Sequence, residues 1–380
     1  MAILPVYLDH AATTPVDPAV LEAMLPFMHQ TPYNASAIHS GGRMAADAVE
    51  EARAKVAALI GADPDEVYFT SGGTEADNWA LKAVSHVPIE RGPHLLISAV
   101  EHAAVLESAD SLARSGWKVE RVPVTSDCYV EPEQVALRIT SQTALVSVML
   151  ANNEVGTIQP VREIADICRE RNVVVHSDAV QAAASLRIDV RELGVDLLTL
   201  SAHKLYGPKG IGALYVRRGT AIKRWMDGGS HERGMRAGTV NVPAAVGFGA
   251  ACELASQRRD EDAVHLADCR DRLANGITQL VPDCRVSSTG AKRLAGFVHL
   301  CIRGIEGEAV LIGLDAAGVY ASGGAACSSR SVATSHVLRA MGMTDEWARG
   351  AVRMTLGRNT TPEQVEYAVQ AFASVVLELR

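Results

Sequence analysis

The pattern of hydrophobic and polar positions changes about two thirds of the way along the chain. Between residues 64 and 217, short apolar runs rich in β-branched residues alternate with amphipathic stretches such as residues 160–171. The apolar runs predict buried strands over residues 67–70, 94–98, 143–150, 173–176 and 196–201. Near-continuous apolar strands that alternate with helices are typical of a mostly parallel sheet covered by helices on both faces. We therefore predict an α/β fold for this part of the chain.

The last third has a different rhythm. After Asn241 the pattern predicts a long helical stretch to about Leu280, with an interruption near Gln257. Strands over 297–302 and 352–356 and a final helix from Pro362 follow. Because 380 residues favour two domains of ordinary size, we place a domain boundary near residue 256.

Composition and charge exclude several classes of protein. Apolar residues make up 48% and charged residues 21% of the chain, which is ordinary globular composition. The net charge of −8 and the absence of a sustained basic run argue against nucleic-acid binding. No run of about 18 apolar residues predicts a membrane span, and the first residues lack signal-peptide features, so we expect a cytoplasmic protein.

The cysteines predict free thiols rather than disulfides or a metal site. Their odd number, without any CxxC pair or metal-ligand spacing, argues against both. Six of the seven lie in predicted helices (168, 252 and 269), in a strand (301) or in turns (128 and 284). Cys327 differs because it lies in a run of small residues, 322–331, that predicts a mobile loop.

Polar clusters follow the predicted strands, where ligands of open α/β sheets bind. They are expected at one edge of the sheet, and they comprise residues 70–75, 101–102, 152–154, 177–178 and 201–204.

Three of these clusters contain the groups that a pyridoxal-phosphate site requires. The segment 71–74 precedes a helix predicted from about Glu75, so its glycines and the helix N-terminus suit a phosphate, although a tight turn capped by Thr74 is the favoured interpretation of this segment taken alone. Lys204 follows a buried strand and suits Schiff-base formation, with a surface lysine as the alternative and Lys209 as a competitor. Asp178 ends another strand and suits a pyridinium partner or a turn. Their joint occurrence favours the cofactor site.

These residues belong to motifs that resemble the cysteine desulfurases of the NifS/IscS type, within the class V, fold-type I branch of pyridoxal-phosphate enzymes. The resemblance extends over essentially the whole chain. Its motifs include YLDHAATTP (7–15), FTSGGTEADN (69–78), HSDAVQ (176–181), SAHKLYGPKGIG (201–212), HERGMRAGT (231–239), ASGGAACSS (321–329) and VRMTLGR (352–358).

The resemblance implies a mainly parallel seven-stranded sheet in a large domain, residues 15–255. The smaller α+β domain would comprise residues 1–14 and 256–380 and would carry the catalytic cysteine loop.

The resemblance also implies roles for the site residues. Lys204 would form the Schiff base, Asp178 would pair with the pyridine nitrogen, and Gln181 would bind the phenolic oxygen. His102 would stack on the ring and move protons. The phosphate ligands would be Gly73, Thr74, Ser201 and His203, together with Thr239 from the other subunit of a homodimer.

The implied reaction takes sulfur from L-cysteine. Asn153 and Arg353 would bind the substrate carboxylate, and Asn34 would lie near the substrate. Lys204 would remove the α-proton, and Cys327 would attack the substrate sulfur, retain a persulfide and release alanine. His102 or a nearby cation, with Arg330 as a candidate, would activate the thiol. An iron–sulfur scaffold or another protein would accept the sulfur.

Three features depart from the family pattern, and the changed context after the cysteine is the one that bears on the partner. The loop reads Gly-Ala-Ala-Cys rather than Gly-Ser-Ala-Cys, residues 330–336 differ from the usual context, and Asn34-Ala35-Ser36 replaces Asn-Pro-Ser.

Alternative functions are a selenocysteine lyase, a cysteine-sulfinate lyase, a small-amino-acid aminotransferase, or a non-catalytic docking subunit for sulfur assembly.

Overall fold

The computed structural model describes residues 5–85, 92–323 and 334–380. Within these ranges the strands are β1 Val6–Tyr7, β2 Val67–Thr70, β3 His94–Ser98, β4 Lys118–Val122, β5 Thr143–Ser147, β6 Val174–Asp178, β7 Leu197–Ser201, β8 Gly212–Val216, β9 Cys284–Val286, β10 Phe297–Ile302, β11 Val319–Tyr320 and β12 Ala351–Thr355. The helices are α1 Pro18–His29, α2 Ser40–Leu59, α3 Gly73–Ser85, α4 Ala103–Arg114, α5 Pro132–Arg138, α6 Val161–Glu170, α7 Val190–Leu193, α8 Val242–Leu280, α9 Gly307–Ala316, α10 His336–Ala340, α11 Asp345–Ala348 and α12 Pro362–Glu378.

The central sheet has seven strands in the order β2-β8-β7-β6-β5-β3-β4. The run from β7 to β4 is parallel, whereas β8 is antiparallel to both of its neighbours. Every residue of β3, β5, β7 and β8 is buried, because helices cover both faces of the sheet. The predicted α/β fold with a mainly parallel sheet is confirmed.

The smaller C-terminal part is built around a three-stranded antiparallel sheet, β12-β10-β9. A separate parallel pair joins β1 at the N-terminus to β11. The apolar side chains of β10, β12 and α12 form their own core with Val6 and Leu8, distinct from the core around the central sheet. The N-terminal residues therefore pack with the C-terminal part.

The predicted interruption of the long helix near Gln257 is wrong, because α8 runs unbroken through 39 residues. Its buried residues up to Ala255 belong to the core of the central sheet, and those from Leu266 onward belong to the second core. The polar residues between them mark the crossing from one core to the other. Since they include neither Gly nor Pro, the helix continues through them.

Other predicted boundaries were close to those observed. The strand predicted over 143–150 ends at Ser147, and the helix predicted from Glu75 begins at Gly73, so Thr74 lies in its first turn rather than capping it. Cys284, predicted in a turn, begins β9. None of the helices in the described ranges is long and apolar enough to cross a membrane.

Candidate active site

A cavity of about 580 Å³ lies at the carboxyl ends of the central strands. Its walls come from all five of the predicted polar clusters and from segments near both ends of the chain. The lining includes Ala11, Ala12, Gly73, Thr74, Asp77, His102, Glu107, Met149, Asn153, Glu154, Asp178, Val180, Gln181, Ser201, His203, Lys204, His336 and Arg353. We call it the central cavity.

Lys204 projects into this cavity from the short 3-10 helix, Ala202–Lys204, that directly follows β7. Its Nζ donates hydrogen bonds to the carbonyl oxygens of Ala11 and Ala12, the latter at 2.7 Å. Gln181 Nε2 donates to the same Ala11 oxygen at 2.8 Å. Lys209, the competing lysine, is exposed and lies outside the lining of the central cavity. The local fold therefore favours Lys204 as the reactive amine.

Two carboxyl groups share the floor of the cavity. Oxygens of Asp77 and Asp178 and an imidazole nitrogen of His102 all lie within 4.8 Å of one another. Burial raises the pKa of Asp178, while the nearby His102 and Lys204 act in the opposite direction. Burial also raises the pKa of Asp77 well above its usual value, and Asp178 adds to that shift. Two buried carboxyl groups this close cannot both be ionised unless a cation lies beside them.

His176 lies behind Asp77 and completes this buried corner. Its Nδ1 is 2.8 Å from Ser147 Oγ, and its Nε2 is 3.0 Å from Thr199 Oγ1 and 3.6 Å from Asp77 Oδ1. Burial lowers the pKa of His176 to about 3, so the ring is neutral. It therefore offers Asp77 no compensating charge.

His102 is positioned by the start of α4. Its Nδ1 accepts a hydrogen bond from Ala104 N at 3.2 Å, which places the proton of the neutral ring on Nε2. The preceding Glu101 is fully buried, and its Oε1 accepts from Ser98 Oγ at 2.5 Å and from Met149 N at 2.8 Å. Burial raises the pKa of Glu101 to about 8. These contacts fix the backbone from which the His102 ring extends.

The corner between β2 and α3 has the features of an anion site. The first turn of α3 presents N–H groups beside Ser201 and His203, and an added Cβ on Gly73 would lie only 2.9 Å from Val180 Cγ2. Burial lowers the pKa of His203 to about 4, and the neighbouring Lys204 adds to this shift. His203 Nδ1 lies 3.2 Å from Thr13 Oγ1. An anion held here would face backbone and hydroxyl donors.

Arg353 faces the cavity from β12. Its Nη1 donates to Asn153 O and its Nη2 to Asp9 Oδ1, both at 2.8 Å. The side chain is 3% exposed, and its Nε has no hydrogen-bond partner in the described part of the chain. A buried guanidinium with an unused N–H is suited to a carboxylate ligand.

The described residues on either side of the cysteine segment are held at the cavity. Ser322 forms an isolated antiparallel bridge with Arg353, and each accepts a hydrogen bond from the other's backbone N–H. On the other side, Ser335 Oγ donates to Glu154 Oε2 at 2.6 Å, and His336 Nε2 lies 3.0 Å from Glu101 O. Cys327 and Arg330 themselves lie outside the described residues.

The structure brings most of the predicted site residues together and leaves two elsewhere. Asn34 and Thr239 are exposed and do not line the central cavity. Our sequence reasoning assigned no role to Asp77, Glu154, His336 or Asp9. Asp9 and Asp77 lie within quoted motifs, Glu154 lies in the predicted polar cluster 152–154, and His336 lies in the segment 330–336. Of the four, only Glu154 belonged to a cluster that we expected at this edge of the sheet.

The six cysteines in the described ranges are free thiols. Burial raises the pKa of each of them, to about 12 for Cys168 and Cys284. A thiol with a raised pKa is a poor nucleophile at neutral pH. These six therefore have the properties of structural cysteines.

Comparison with known proteins agrees with this geometry. The family model described as aminotransferase class-V matches residues 6–368. A cysteine desulfurase IscS from Clostridium botulinum (strain Hall) is 41% identical over 377 residues, which cover 99% of this chain and 95% of the relative. A cysteine desulfurase IscS from Methanosarcina thermophila is 44% identical over 375 residues, which cover 99% of this chain and 93% of that relative.

Solved structures show the same fold. One described as a NifS-like protein has a TM-score of 0.93 and 37% identity, with 99% of this chain and 100% of that chain covered. A structure of SspA in complex with cysteine has a TM-score of 0.80 and 32% identity, with 94% and 100% covered. The resemblance inferred from the sequence motifs is confirmed.

Proposed function

The chain belongs to the class-V aminotransferase family, and we propose that it is a pyridoxal-phosphate-dependent cysteine desulfurase. It would convert L-cysteine to L-alanine and retain the sulfur as a persulfide on Cys327. The observation that carries the proposal is the position of Lys204, Asp178 and Arg353 around one cavity. The family is pyridoxal-phosphate-dependent, and its relatives include proteins named cysteine desulfurase.

The residues of the central cavity fit the cofactor. Asp178 and Asp77 form a buried acidic corner that a pyridinium cation would neutralise. Gln181 would donate to the phenolic oxygen, and His102 would cover the ring. The phosphate would bind at the α3 N-terminus, at Gly73, Thr74, Ser201 and His203, where the N–H groups and the close approach at Gly73 suit an anion. When bound, pyridoxal phosphate supplies an electron sink for the substrate α-carbon.

The substrate would be oriented by its carboxylate. Arg353 is buried and retains one N–H without a hydrogen-bond partner in the described ranges, so a carboxylate would satisfy it. Asn153, whose carbonyl oxygen holds Arg353 Nη1, lies beside the same position. We assign both residues to substrate binding. Asn34 is exposed in one chain, so its proposed place near the substrate requires a rearrangement or a second chain.

Lys204 and His102 would carry out the proton transfers. The Lys204 amine would take the proton from the substrate α-carbon, and its carbonyl partners at Ala11 and Ala12 would hold it at the cavity wall when it is not reacting. His102, with its ring fixed by Ala104 N, would deliver a proton to the departing alanine or accept one from the attacking thiol.

The sulfur transfer balances without an external oxidant. The Cys327 thiolate attacks the substrate sulfur, so a sulfur–sulfur bond forms as the carbon–sulfur bond breaks. The electron pair passes to the substrate carbon, which is then protonated to give alanine. Ser322 and Ser335 hold the chain on either side of the segment at this cavity. The raised pKa values of the six described thiols leave Cys327 as the candidate nucleophile.

The active unit would be a homodimer in which Thr239 reaches the phosphate bound by the partner chain. Thr239 is exposed just before α8, against which α1 packs. An apolar face on and after α1 is also exposed: Leu21, Leu25, Met28, Tyr33, Ile38 and Met44. A second copy of the chain is the occupant that would bury this face and bring Thr239 to a second cavity.

The proposal also covers the domain boundaries, the cellular location and the acceptor of the sulfur. The two cores support a large domain of residues 15–255 and a small domain of residues 1–14 and 256–380. Buried, unpaired thiols suit a reducing compartment, so we assign the protein to the cytoplasm. The persulfide would pass to an iron–sulfur scaffold or another sulfur acceptor.

The proposal is tested by measuring alanine and sulfide released from L-cysteine in the presence of a thiol reductant. The wild type should yield the two products in equal amounts, and Lys204→Ala and Cys327→Ala should each yield neither. Cys252→Ala, at a fully buried thiol, is the matched control and should retain activity. Alanine formation that survives Cys327→Ala would overturn the persulfide route and favour a lyase or an aminotransferase.

A further inference from the structure

Arg358 and Tyr206 form a contact outside the residues assigned to catalysis. The Arg358 guanidinium carbon lies 3.9 Å from the centre of the Tyr206 ring, which is stacking distance. The backbone N–H of Arg358 also donates to Tyr206 Oη at 2.9 Å. The Arg358 side chain is 6% exposed, and Tyr206 is buried. We call this contact the Arg358–Tyr206 clamp.

The two partners lie on the two pieces of chain that carry the reacting groups. Tyr206 comes two residues after Lys204, and Arg358 comes five residues after Arg353, just beyond the end of β12. In an amino acid the carboxylate and the α-carbon are adjacent. The Arg353 guanidinium, which would bind the carboxylate, and the Lys204 amine, which would deprotonate the α-carbon, must therefore be held at a fixed separation. A misplacement of about 1 Å can cost about a hundredfold in rate.

Carboxylates on both sides orient the Arg358 end of the clamp. Its Nη1 lies 3.3 Å from Asp17 Oδ2. Its Nε lies 3.3 Å from Asp262 Oδ2, close enough for an ion pair but not aligned for a hydrogen bond. A planar guanidinium can satisfy both acids while it remains stacked on the ring, which a lysine ammonium cannot do.

The backbone at Tyr206 is also held in an uncommon conformation. Its φ of 61° lies in the left-handed region, which is unfavourable for a residue with a side chain. Tyr206 N donates to Thr14 Oγ1 at 2.8 Å, and Tyr206 O accepts from Asp17 N at 2.9 Å. These contacts turn the chain sharply after Lys204 and direct the ring to Arg358.

We propose that Arg358 is a positioning residue that sets the separation between the Lys204 amine and the Arg353 guanidinium. The proposal rests on the function proposed above, since it takes Lys204 and Arg353 as the groups that act on the substrate. Arg358 does not line the central cavity, so it would contact neither substrate nor cofactor there. It acts through Tyr206 on one side and through the end of β12 on the other.

The test compares two amines that replace Lys204 on the bound cofactor without transferring sulfur. L-alanine carries a carboxylate that uses Arg353, whereas ethylamine has none. Binding of each is followed by the change in visible absorption of the cofactor-loaded protein. We expect Arg358→Lys to weaken L-alanine binding by about tenfold and to change ethylamine binding by less than about twofold.

Two further variants separate the contacts of the clamp. Tyr206→Leu removes the ring and should reproduce the selective loss of L-alanine binding, even if Arg358→Lys folds poorly. Tyr206→Phe keeps the ring and loses only the hydrogen-bond acceptor, so its effect on the ratio of the two affinities should stay within about threefold. Thermal unfolding of each variant shows whether the fold is retained.

Equal weakening of both amines in Arg358→Lys and Tyr206→Leu, or no weakening of either, would overturn the proposal. Failure of the proposed function is a different result: a wild type that binds both amines but releases no alanine from cysteine. The affinity ratio still tests the clamp in that case, because it depends only on a ligand carboxylate and the Lys204 amine.

Discussion

Arg353 Nη2 lies 2.8 Å from Asp9 Oδ1, so the guanidinium assigned to the substrate carboxylate is already paired with a carboxylate of the protein. Asp9 is partly exposed, at 20% of its side chain, whereas Arg353 is buried. The pair leaves the Nε of Arg353 without a partner in the described ranges. Asp9 therefore orients the arginine and compensates its charge before the substrate arrives.

Asp9→Asn should weaken cysteine binding. The variant retains an oxygen acceptor but loses a charge-assisted hydrogen bond, worth about 1.5–3 kcal/mol. Because Arg353 then loses part of its orientation, we expect KM for L-cysteine to rise about tenfold, with a smaller change in kcat. Steady-state kinetics of alanine formation measure both constants.

Asp110→Asn is the matched control for this change, since Asp110 pairs with Arg121 at 3.3 Å on the surface. Its KM should equal that of the wild type. An unchanged KM in Asp9→Asn would contradict the orienting role of Asp9, and a lower KM would mean that Asp9 competes with the substrate for Arg353.

Asp77 should make the cofactor-free protein less stable as the pH rises. Burial raises the pKa of this carboxyl well above its usual value, so the folded chain keeps a proton that the unfolded chain releases above about pH 4. Stability then falls with rising pH from that value up to the folded pKa. Asp77→Asn removes this titration. Urea unfolding should therefore show a gain in the variant's stability, relative to the wild type, as the pH is raised through an interval that starts at about pH 4.

Asp315→Asn serves as the control, because Asp315 is exposed on α9. Its stability difference from the wild type should not change over the same pH interval. A constant difference for Asp77→Asn as well would contradict the assignment of a protonated Asp77 in the folded chain.

Gly73→Ala tests the close approach at the proposed phosphate site. The added Cβ would lie 2.9 Å from Val180 Cγ2, so either Val180 or the start of α3 must move. We expect the affinity for pyridoxal phosphate to fall by about tenfold, because the helix N–H groups lose their alignment. Equilibrium binding monitored by cofactor absorption measures this change.

The same substitution made in a Val180→Ala background provides the control. With both methyl groups of Val180 removed, Gly73→Ala should alter cofactor affinity by less than about threefold relative to Val180→Ala alone. A tenfold loss in both backgrounds would place the effect at the anion rather than at Val180. No loss of cofactor affinity in either background would show that residue 73 has room for a methyl group beside Val180.

Much of the fold could be predicted from the sequence because apolar strands and polar strand ends leave a local signal. The segments 67–70, 94–98 and 297–302 match β2, β3 and β10 in full, and as expected Asp178 ends its strand and Lys204 follows its strand. The continuity of α8 could not be predicted in this way. Its polar middle, including Arg258, suggested a break, whereas the cause is a crossing between two cores that only the tertiary structure reveals.

The supporting residues of the site were harder to predict for a similar reason. Asp77 lies in a helix and lines the cavity, whereas Asp9 lies near the N-terminus and supports the cavity through its pair with Arg353, which is distant in sequence. The clamp between Tyr206 and Arg358 joins residues 152 positions apart. Periodicity reports the environment of a single segment, so it carries no information on such pairs.

The central claim is that sulfur leaves cysteine as a persulfide on Cys327. The most direct test is mass spectrometry of the peptide containing Cys327 after a single turnover with L-cysteine and no reductant, with alanine measured in the same sample. The account predicts one added sulfur atom on Cys327 for each alanine formed, and neither product in Lys204→Ala. Alanine without added sulfur on Cys327, or added sulfur on another cysteine, would contradict it.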